Sequence, residues 1–315
     1  MEVWIPNQKN RLKKVLLGSV PTSASIQKSL KKPLPKVIEK VLEETIEDLD
    51  EIKKTYESLG VEVLTYPVEH PVPDHISSIN VRNSFFIVDS EMYITERYSF
   101  LEPLYKSVKN ATFLHHDSIG QGEGIYAPDI YIHDDYAILD GLPKEVYYDL
   151  RKMLSPKRKI ITAFNDGHGD GIYCNIGDKI WLTDGYALPF EKLWPDIPYF
   201  ELTMNDWKPQ RDFFNEKELL KTRGHWMINK HELTNTEIEF MEKYLKSWTG
   251  YAEETIFDLN ISIVDENNVM AISQNSLVYD KLESLGIKVH HVPLRHRFFW
   301  DGGLHCITND LEREK

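Results

Sequence analysis

Cysteine is scarce in this chain, which has only Cys174 and Cys306 among its 315 residues. Two cysteines this far apart do not make a disulfide framework, which predicts a reducing, cytoplasmic location. Long apolar runs are also lacking, so we expect no membrane-spanning segment. The first residues, 1–6, lack the basic start and apolar stretch of a secretory signal.

Basic residues are in the minority, with 37 lysines and arginines against 50 aspartates and glutamates and a net charge of −13. Nucleic acids and anionic membranes both require a cationic surface, so the charge balance argues against either partner. It suits a cationic small substrate, although solubility explains it equally well. The chain does have 41% hydrophobic and 11% aromatic residues, enough to build a large core.

Two sequence echoes indicate internal repetition. Residues 120–126, Gly-Gln-Gly-Glu-Gly-Ile-Tyr, return at 167–173 as Gly-His-Gly-Asp-Gly-Ile-Tyr. Residues 56–63 return at 282–289, and both copies contain Glu-Ser-Leu-Gly ahead of an apolar stretch. The second echo is typical of a helix end, a glycine cap and a strand.

Helical and strand patterns alternate along the chain. An apolar stripe from Val37 to Leu59 predicts a long outer helix, and shorter helices are expected at 100–108, 144–154, 236–248 and 277–285. Strands are expected at 14–17, 85–88, 92–95, 160–163, 256–264 and 269–272, and loops at 22–36 and 194–214. Such repeated units must stack or close to bury their apolar faces. We therefore predict an α/β class and one closed, propeller-like domain over residues 1–315.

The segment around Cys306 is the strongest candidate for a chemical site. Residues 300–308 read Trp-Asp-Gly-Gly-Leu-His-Cys-Ile-Thr, so the cysteine follows a glycine pair and His305. Adjacent glycines let a backbone approach a ligand closely, and a neighbouring histidine favours the reactive thiolate. A free cysteine is otherwise a small buried hydrophobe, which is how we interpret Cys174.

Residues 302–308 resemble the cysteine loop of the guanidino-group modifying enzymes, a superfamily that includes arginine deiminase, agmatine deiminase, dimethylargininase and the arginine amidinotransferases. Residues 11–18 and 81–83 resemble the opening strand and second-blade turn of the amidinotransferases. Residues 169–170 resemble a turn with a catalytic aspartate, and 257–260 the segment that supplies a histidine and a second aspartate. The resemblance implies a five-bladed α/β propeller, the pentein fold, built from ββαβ repeats.

The resemblance also implies a reaction. Cys306 would attack the central carbon of a guanidinium while Asp170 and Asp258 grip its nitrogens. The resulting amidino-enzyme would pass its amidino group to an amine, so the expected partners are a guanidino donor such as arginine and an amine acceptor. No metal or organic cofactor is required by this reaction. The sequence is compatible with a homo-oligomer. The other expected substrate contacts are Arg82, Asn83 and Asp301.

Two positions depart from the family pattern. The general acid/base histidine of the family stands two residues before the aspartate matched to Asp258, and this chain has Ile256 there. Asn83 stands where the amidinotransferases have an aspartate. Isoleucine cannot move a proton, so either another group does that work or the usual reaction is not catalysed.

His168 is the best candidate to replace the missing histidine, because it neighbours Asp170 in a glycine-rich turn. The alternative interpretation is that His168 is an ordinary histidine in a surface turn. Adjacent side chains on an extended segment point opposite ways, which predicts that His305 faces away from Cys306. The remaining candidates are His296, which is flanked by charges, and His225, which is remote.

Three functions therefore remain. An amidinotransferase is favoured, because the opening strand and the second-blade turn resemble those enzymes; it would release ornithine from arginine. A guanidino hydrolase of the deiminase or dihydrolase kind would form ammonia or a ureido product. A non-catalytic guanidinium-binding protein would explain Ile256.

Overall fold

A computed structural model describes residues 1–69, 78–114, 127–165, 168–184, 188–203, 206, 228, 231–245, 257–272 and 275–315. Its strands form five sheets of three strands each. The first copy of the echo at 120–126, Ile256 and His225 lie outside the described residues, as does most of 204–230.

Four sheets follow the order of the chain, and each consists of an antiparallel strand pair, a helical crossover and a third strand parallel to the second. The second blade comprises β3 (Phe85–Val88), β4 (Glu91–Ile94), α3 (Glu102–Ser107) and β5 (Ala111–Phe113). The third comprises β6 (Ile130–His133), β7 (Tyr136–Asp140), α4 (Lys144–Leu154) and β8 (Lys159–Ala163). The fourth comprises β9 (Tyr173–Ile176), β10 (Ile180–Thr183), α5 (Phe190–Leu193) and β11 (Tyr199–Glu201).

The fifth blade comprises β12 (Ser262–Asp265), β13 (Asn268–Ala271), α7 (Ser276–Ser284) and β14 (Lys288–His291), and α6 (Asn235–Tyr244) precedes it. The first blade joins the two ends of the chain. Its strands are β1 (Leu12–Leu17), β2 (Glu62–Leu64) and β15 (Thr308–Arg313), and β15 pairs antiparallel with β1 so that Leu17 faces Thr308. The predicted α/β class and the ββαβ repeat are confirmed.

The long helix α2 (Lys36–Ser58) covers the first blade. Its buried residues follow the predicted stripe and include Ile38, Leu42, Leu49 and Ile52. The same core cluster contains Trp300 from the segment before Cys306. Burial of this apolar face therefore fixes α2 against the part of the chain that carries Cys306.

The sequence repeat of 56–63 at 282–289 corresponds to a repeated backbone structure. Both copies end a helix with a glycine of positive φ, 77° at Gly60 and 74° at Gly286. Val61 N donates to Tyr56 O and Gly60 N to Glu57 O, and the second copy repeats both bonds in the same spacing. This is a Schellman cap followed by a strand, as the sequence predicts.

Three segments differ from the prediction. Residues 22–36 contain a helix, α1 (Ser23–Leu30), because the Thr22 hydroxyl accepts from Ser25 N as an N-cap and Ile26 is buried. The segment 194–214 contains β11, since Tyr199–Glu201 pairs parallel with β10. The predicted strand 256–264 is wrong over 257–261, which bends instead; the strand is confined to Ser262–Asp265.

Candidate active site

Cys306 lies in a turn between a short helix, α8 (Arg297–Trp300), and strand β15. The cysteine loop comprises residues 301–307. Just before it, the buried Trp300 donates through Nε1 to Thr45 Oγ1 on α2 at 2.9 Å. At its end, Gly18 N donates to Ile307 O at 2.8 Å. The second-blade turn also contributes, because Arg82 N donates to Cys306 O at 3.0 Å. The loop is thus held by the long helix and by two blades.

The glycine pair makes room for two asparagine side chains. A Cβ on Gly302 would lie 2.4 Å from Asn80 Oδ1, and a Cβ on Gly303 would lie 2.3 Å from Asn260 Oδ1. Neither position has space for a side chain unless an asparagine moves. Asn80 Nδ2 in turn donates to Trp300 O at 3.0 Å. The pair is therefore required for close packing behind Cys306.

Asp170 lies beside the thiol. It belongs to a 3₁₀ turn, Gly169–Gly171, immediately before β9, and is 4% exposed. Cys306 Sγ donates to Asp170 Oδ2 over 3.6 Å. The other oxygen, Oδ1, is buried and has no hydrogen-bond partner among the described residues. One oxygen of this buried carboxylate thus keeps unused capacity to accept from N–H groups.

His305 faces the same carboxylate, which corrects the expectation that it points away from Cys306. Residues 304–307 form a turn rather than an extended segment. The two consecutive side chains therefore converge, and His305 Nδ1 lies 2.8 Å from Asp170 Oδ2.

The electrostatics define the protonation of this pair. Burial raises the pKa of Asp170, but the hydrogen bond from His305 and the charges of His305, His168 and Arg82 outweigh it, so the pKa lies below its usual value. Burial and the neighbouring Arg82 charge lower the pKa of His305, although Asp170 opposes them. Near neutral pH, Asp170 is a carboxylate and His305 is a neutral imidazole that donates through Nδ1.

Arg82, one of the three expected substrate contacts on the second blade and the cysteine loop, binds the loop itself. Arg82 is 6% exposed, and its Nε donates to His305 O at 3.3 Å while its Nη2 binds Asp310 at 3.3 Å. Asp301 ends α8 in the left-handed region with φ of 50°. Asn83 is half-buried, and its carbonyl accepts from Thr95 Oγ1 at 2.7 Å.

Asp258 has partners of a different kind. It is fully buried, its Oδ2 accepts from Asn275 Nδ2 at 3.0 Å and its Oδ1 from the Tyr279 hydroxyl at 3.5 Å. Its charge also acts on Arg297: burial lowers the pKa of this guanidinium, and the negative charge of Asp258 opposes that shift. These partners belong to the protein, whereas the sequence led us to expect a cationic ligand.

The structure places the candidate histidines in different surroundings. His168 directly precedes the turn of Asp170, and its charge helps to lower the pKa of that carboxyl. His296 instead pairs with α2, since its Nε2 lies 2.7 Å from Glu44 Oε2. His225 lies outside the described residues. Within the part of the chain that the structure describes, no group of three or more potential ligands could hold a metal ion.

Two residues near the site were not predicted from the sequence. Asn260 contacts the sulfur of Cys306. Asp129 precedes β6, and burial together with the charges of Asp170 and Asp140 raises its pKa to about 8. A Gly169 backbone bond to Asp129 opposes that rise. Asp129 is therefore protonated at neutral pH beneath the turn that carries His168 and Asp170.

Solved structures share this arrangement of blades. SxtG, an amidinotransferase of Microseira wollei in saxitoxin biosynthesis, superposes with a TM-score of 0.67 at 15% identity, over 99% of this chain and 98% of that one. Inosamine-phosphate amidinotransferase StrB1 of Streptomyces griseus gives 0.67 and 15% over 99% and 97%. The chain has the pentein fold. A dimethylarginine dimethylaminohydrolase gives 0.61 and 12% over 95% and 100%, so penteins of both reaction types resemble it.

The match at the level of sequence is local. A stretch of 55 residues is 40% identical to the mitochondrial glycine amidinotransferase of Danio rerio, and it spans 18% of this chain and 13% of that protein. No family model matches the chain. In the described residues, no helix has both the length and the apolar content needed to cross a membrane.

Proposed function

We propose that this protein is an amidinotransferase that moves the amidino group of arginine, or of a similar guanidino donor, to an amine through a covalent Cys306 intermediate. The observation that carries the proposal is the carboxylate of Asp170. One of its oxygens contacts Cys306 and His305, while the other is buried without a donor among the described residues. A planar guanidinium supplies the N–H groups and the positive charge that such an oxygen requires.

The proposed chemistry combines this geometry with the reaction that the family resemblance implies. The Cys306 thiolate attacks the guanidinium carbon, and the C–N bond to the leaving amine breaks as that nitrogen takes a proton from His168. An S-amidino enzyme results. The acceptor amine then gives a proton to His168 and attacks the same carbon, which releases the thiolate. Asp170 holds the cationic group over the sulfur in both halves.

His168 is assigned to proton transfer because of its spacing. The family resemblance places the histidine two residues before Asp258, where this chain has Ile256, but His168 stands two residues before Asp170 with the same spacing. Asp170, not Asp258, is the aspartate that contacts Cys306. We infer that His168 takes over the work of the histidine missing at Ile256, which weakens the argument for a non-catalytic protein.

Transfer is preferred to hydrolysis on the likeness to two amidinotransferases and on the local identity to a third. The hydrolase remains the second candidate, because a dimethylarginine hydrolase has the same fold. Product analysis separates them. With arginine and a panel of primary amines, we expect ornithine without ammonia or citrulline; an equivalent release of ammonia would favour the hydrolase.

The covalent step can be tested by the mass of the intact protein. Incubation with arginine alone should add one amidino group to the wild type and to Cys174→Ala, and none to Cys306→Ala. His168→Gln should slow formation of this adduct by about 10²- to 10⁴-fold, the usual contribution of a general acid. An adduct that persists in Cys306→Ala would refute the proposal.

A further inference from the structure

Asn260 makes an unusual set of hydrogen bonds to the cysteine loop. It is fully buried in the bend before β12. Its main-chain oxygen accepts from Leu304 N at 3.1 Å and from His305 N at 3.3 Å. Its side-chain Oδ1 accepts from Cys306 N at 3.1 Å, and its Nδ2 donates to Cys306 Sγ at 2.9 Å. One residue thus binds three consecutive amides and the nucleophilic sulfur.

The orientation of the Asn260 amide is set by the backbone. Cys306 N can only donate, so the atom that faces it must be the carbonyl oxygen of the side chain. The amide nitrogen is then directed at the sulfur. Gly303 contributes to this arrangement, because any Cβ there would overlap Asn260.

The electrostatic setting makes this donor important. Cys306 Sγ has the Asp170 carboxylate 3.6 Å away, and a neighbouring negative charge disfavours a thiolate. A buried N–H donor has the opposite effect, since hydrogen bonding to the charged form stabilises it and is stronger away from water. Asn260 supplies such a donor on the atom that must ionise.

We propose that Asn260 is a further catalytic residue, whose Nδ2–H stabilises the thiolate of Cys306 before attack and again when the sulfur leaves. This inference rests on the proposed role of Cys306 as nucleophile. When the sulfur forms a bond to carbon it loses its negative charge, so the N–H···S bond weakens in the amidino-enzyme. It is restored as the C–S bond breaks and the electron pair returns to sulfur.

The test is the pH dependence of Cys306 alkylation by iodoacetamide, measured in a Cys174→Ala background without any substrate. Asn260→Asp keeps the shape of the side chain and the acceptor for Cys306 N, but replaces the sulfur donor by an acidic group. Asn260→Ala removes both. We expect the midpoint of alkylation to rise by about 1–2 pH units in each, as for the loss of a hydrogen bond to a charged group.

Asn80→Ala is the matched control. Asn80 also packs behind the glycine pair and binds the loop through Trp300 O, so its removal tests loop disturbance alone and should leave the midpoint within a few tenths of a unit. Equal shifts in Asn80→Ala and Asn260→Ala, or unmoved midpoints in both Asn260 variants, would overturn the inference. Because free thiol is measured, a shift in the Asn260 variants without an arginine adduct would refute the amidinotransferase and leave the role of Asn260 intact.

Discussion

Asp170 and Asp258 occupy comparable positions in their blades but have different hydrogen-bond partners. Each is buried in a short irregular segment just before the first strand of a blade, Asp170 before β9 and Asp258 before β12. Asp170 contacts Cys306 and keeps one oxygen without a donor among the described residues, whereas both oxygens of Asp258 accept from side chains of the next helix and its cap. The comparison shows that burial alone does not distinguish the two carboxylates, whereas the hydrogen-bond partners of each oxygen do.

The largest effect should come from Asp170→Asn, which keeps the shape of the side chain and removes its charge. The guanidinium would lose its buried counter-charge, so kcat/KM should fall by about 10²- to 10⁴-fold, as for a broken buried ion pair. Steady-state kinetics with arginine would measure it. The melting temperature serves as control and should change little. A fall of less than tenfold would remove Asp170 from the site.

Asp258→Asn should reduce stability and leave activity nearly unchanged, the opposite of Asp170→Asn. It weakens the bonds to Asn275 and Tyr279 and the attraction to Arg297, so the free energy of unfolding should drop by about 1–3 kcal/mol. Urea unfolding gives this value. We expect kcat/KM to stay within tenfold of the wild type. A loss of activity equal to that of Asp170→Asn, without loss of stability, would show that Asp258 binds substrate after all.

A third buried aspartate, Asp129, should show its effect in the pH dependence of stability. Its pKa is raised to about 8, whereas the unfolded value is about 3.9. Between about pH 4 and pH 8 the folded protein binds the extra proton, so this group makes the free energy of unfolding fall as pH rises, by at most ~1.4 kcal/mol per unit.

Asp129→Asn removes this titration and should flatten the decline, so that the variant is relatively more stable than the wild type at alkaline pH. Urea unfolding of both proteins at several pH values measures the two slopes. Parallel slopes would mean that Asp129 is ionised in the folded protein and does not lie in the same electrostatic group as Asp170.

The sequence predicted the parts of the fold that depend on local patterns. The stripe of α2 and the caps at Gly60 and Gly286 follow from residues within one or two helical turns. The helix Ser23–Leu30 was missed because its apolar residues are few and its N-cap is a single threonine. The bend at 257–261 could not be predicted, since its backbone binds the cysteine loop instead of a strand.

The site residues also divide into those marked by local motifs and those defined by contacts between distant parts of the chain. Glycine-rich motifs pointed to Cys306 and Asp170, which the structure brings into contact, and to His168 as the neighbour of that aspartate. Asn260 was missed because its partner is 46 residues away in sequence. The pairing of His305 with Asp170 spans 135 residues and depends on a turn that the sequence alone did not indicate.

The pairing of β15 with β1 has a consequence for synthesis. Strand β1 leaves the ribosome early, but its partner Thr308–Arg313 emerges nearly three hundred residues later and only then completes the first blade. Contacts of such long range form slowly. Cys306 lies two residues before β15, so its thiol is put in place by the same late event. The buried environment of this thiol therefore does not exist in a nascent chain, and protection of Cys306 from alkylation reports that the first blade has formed.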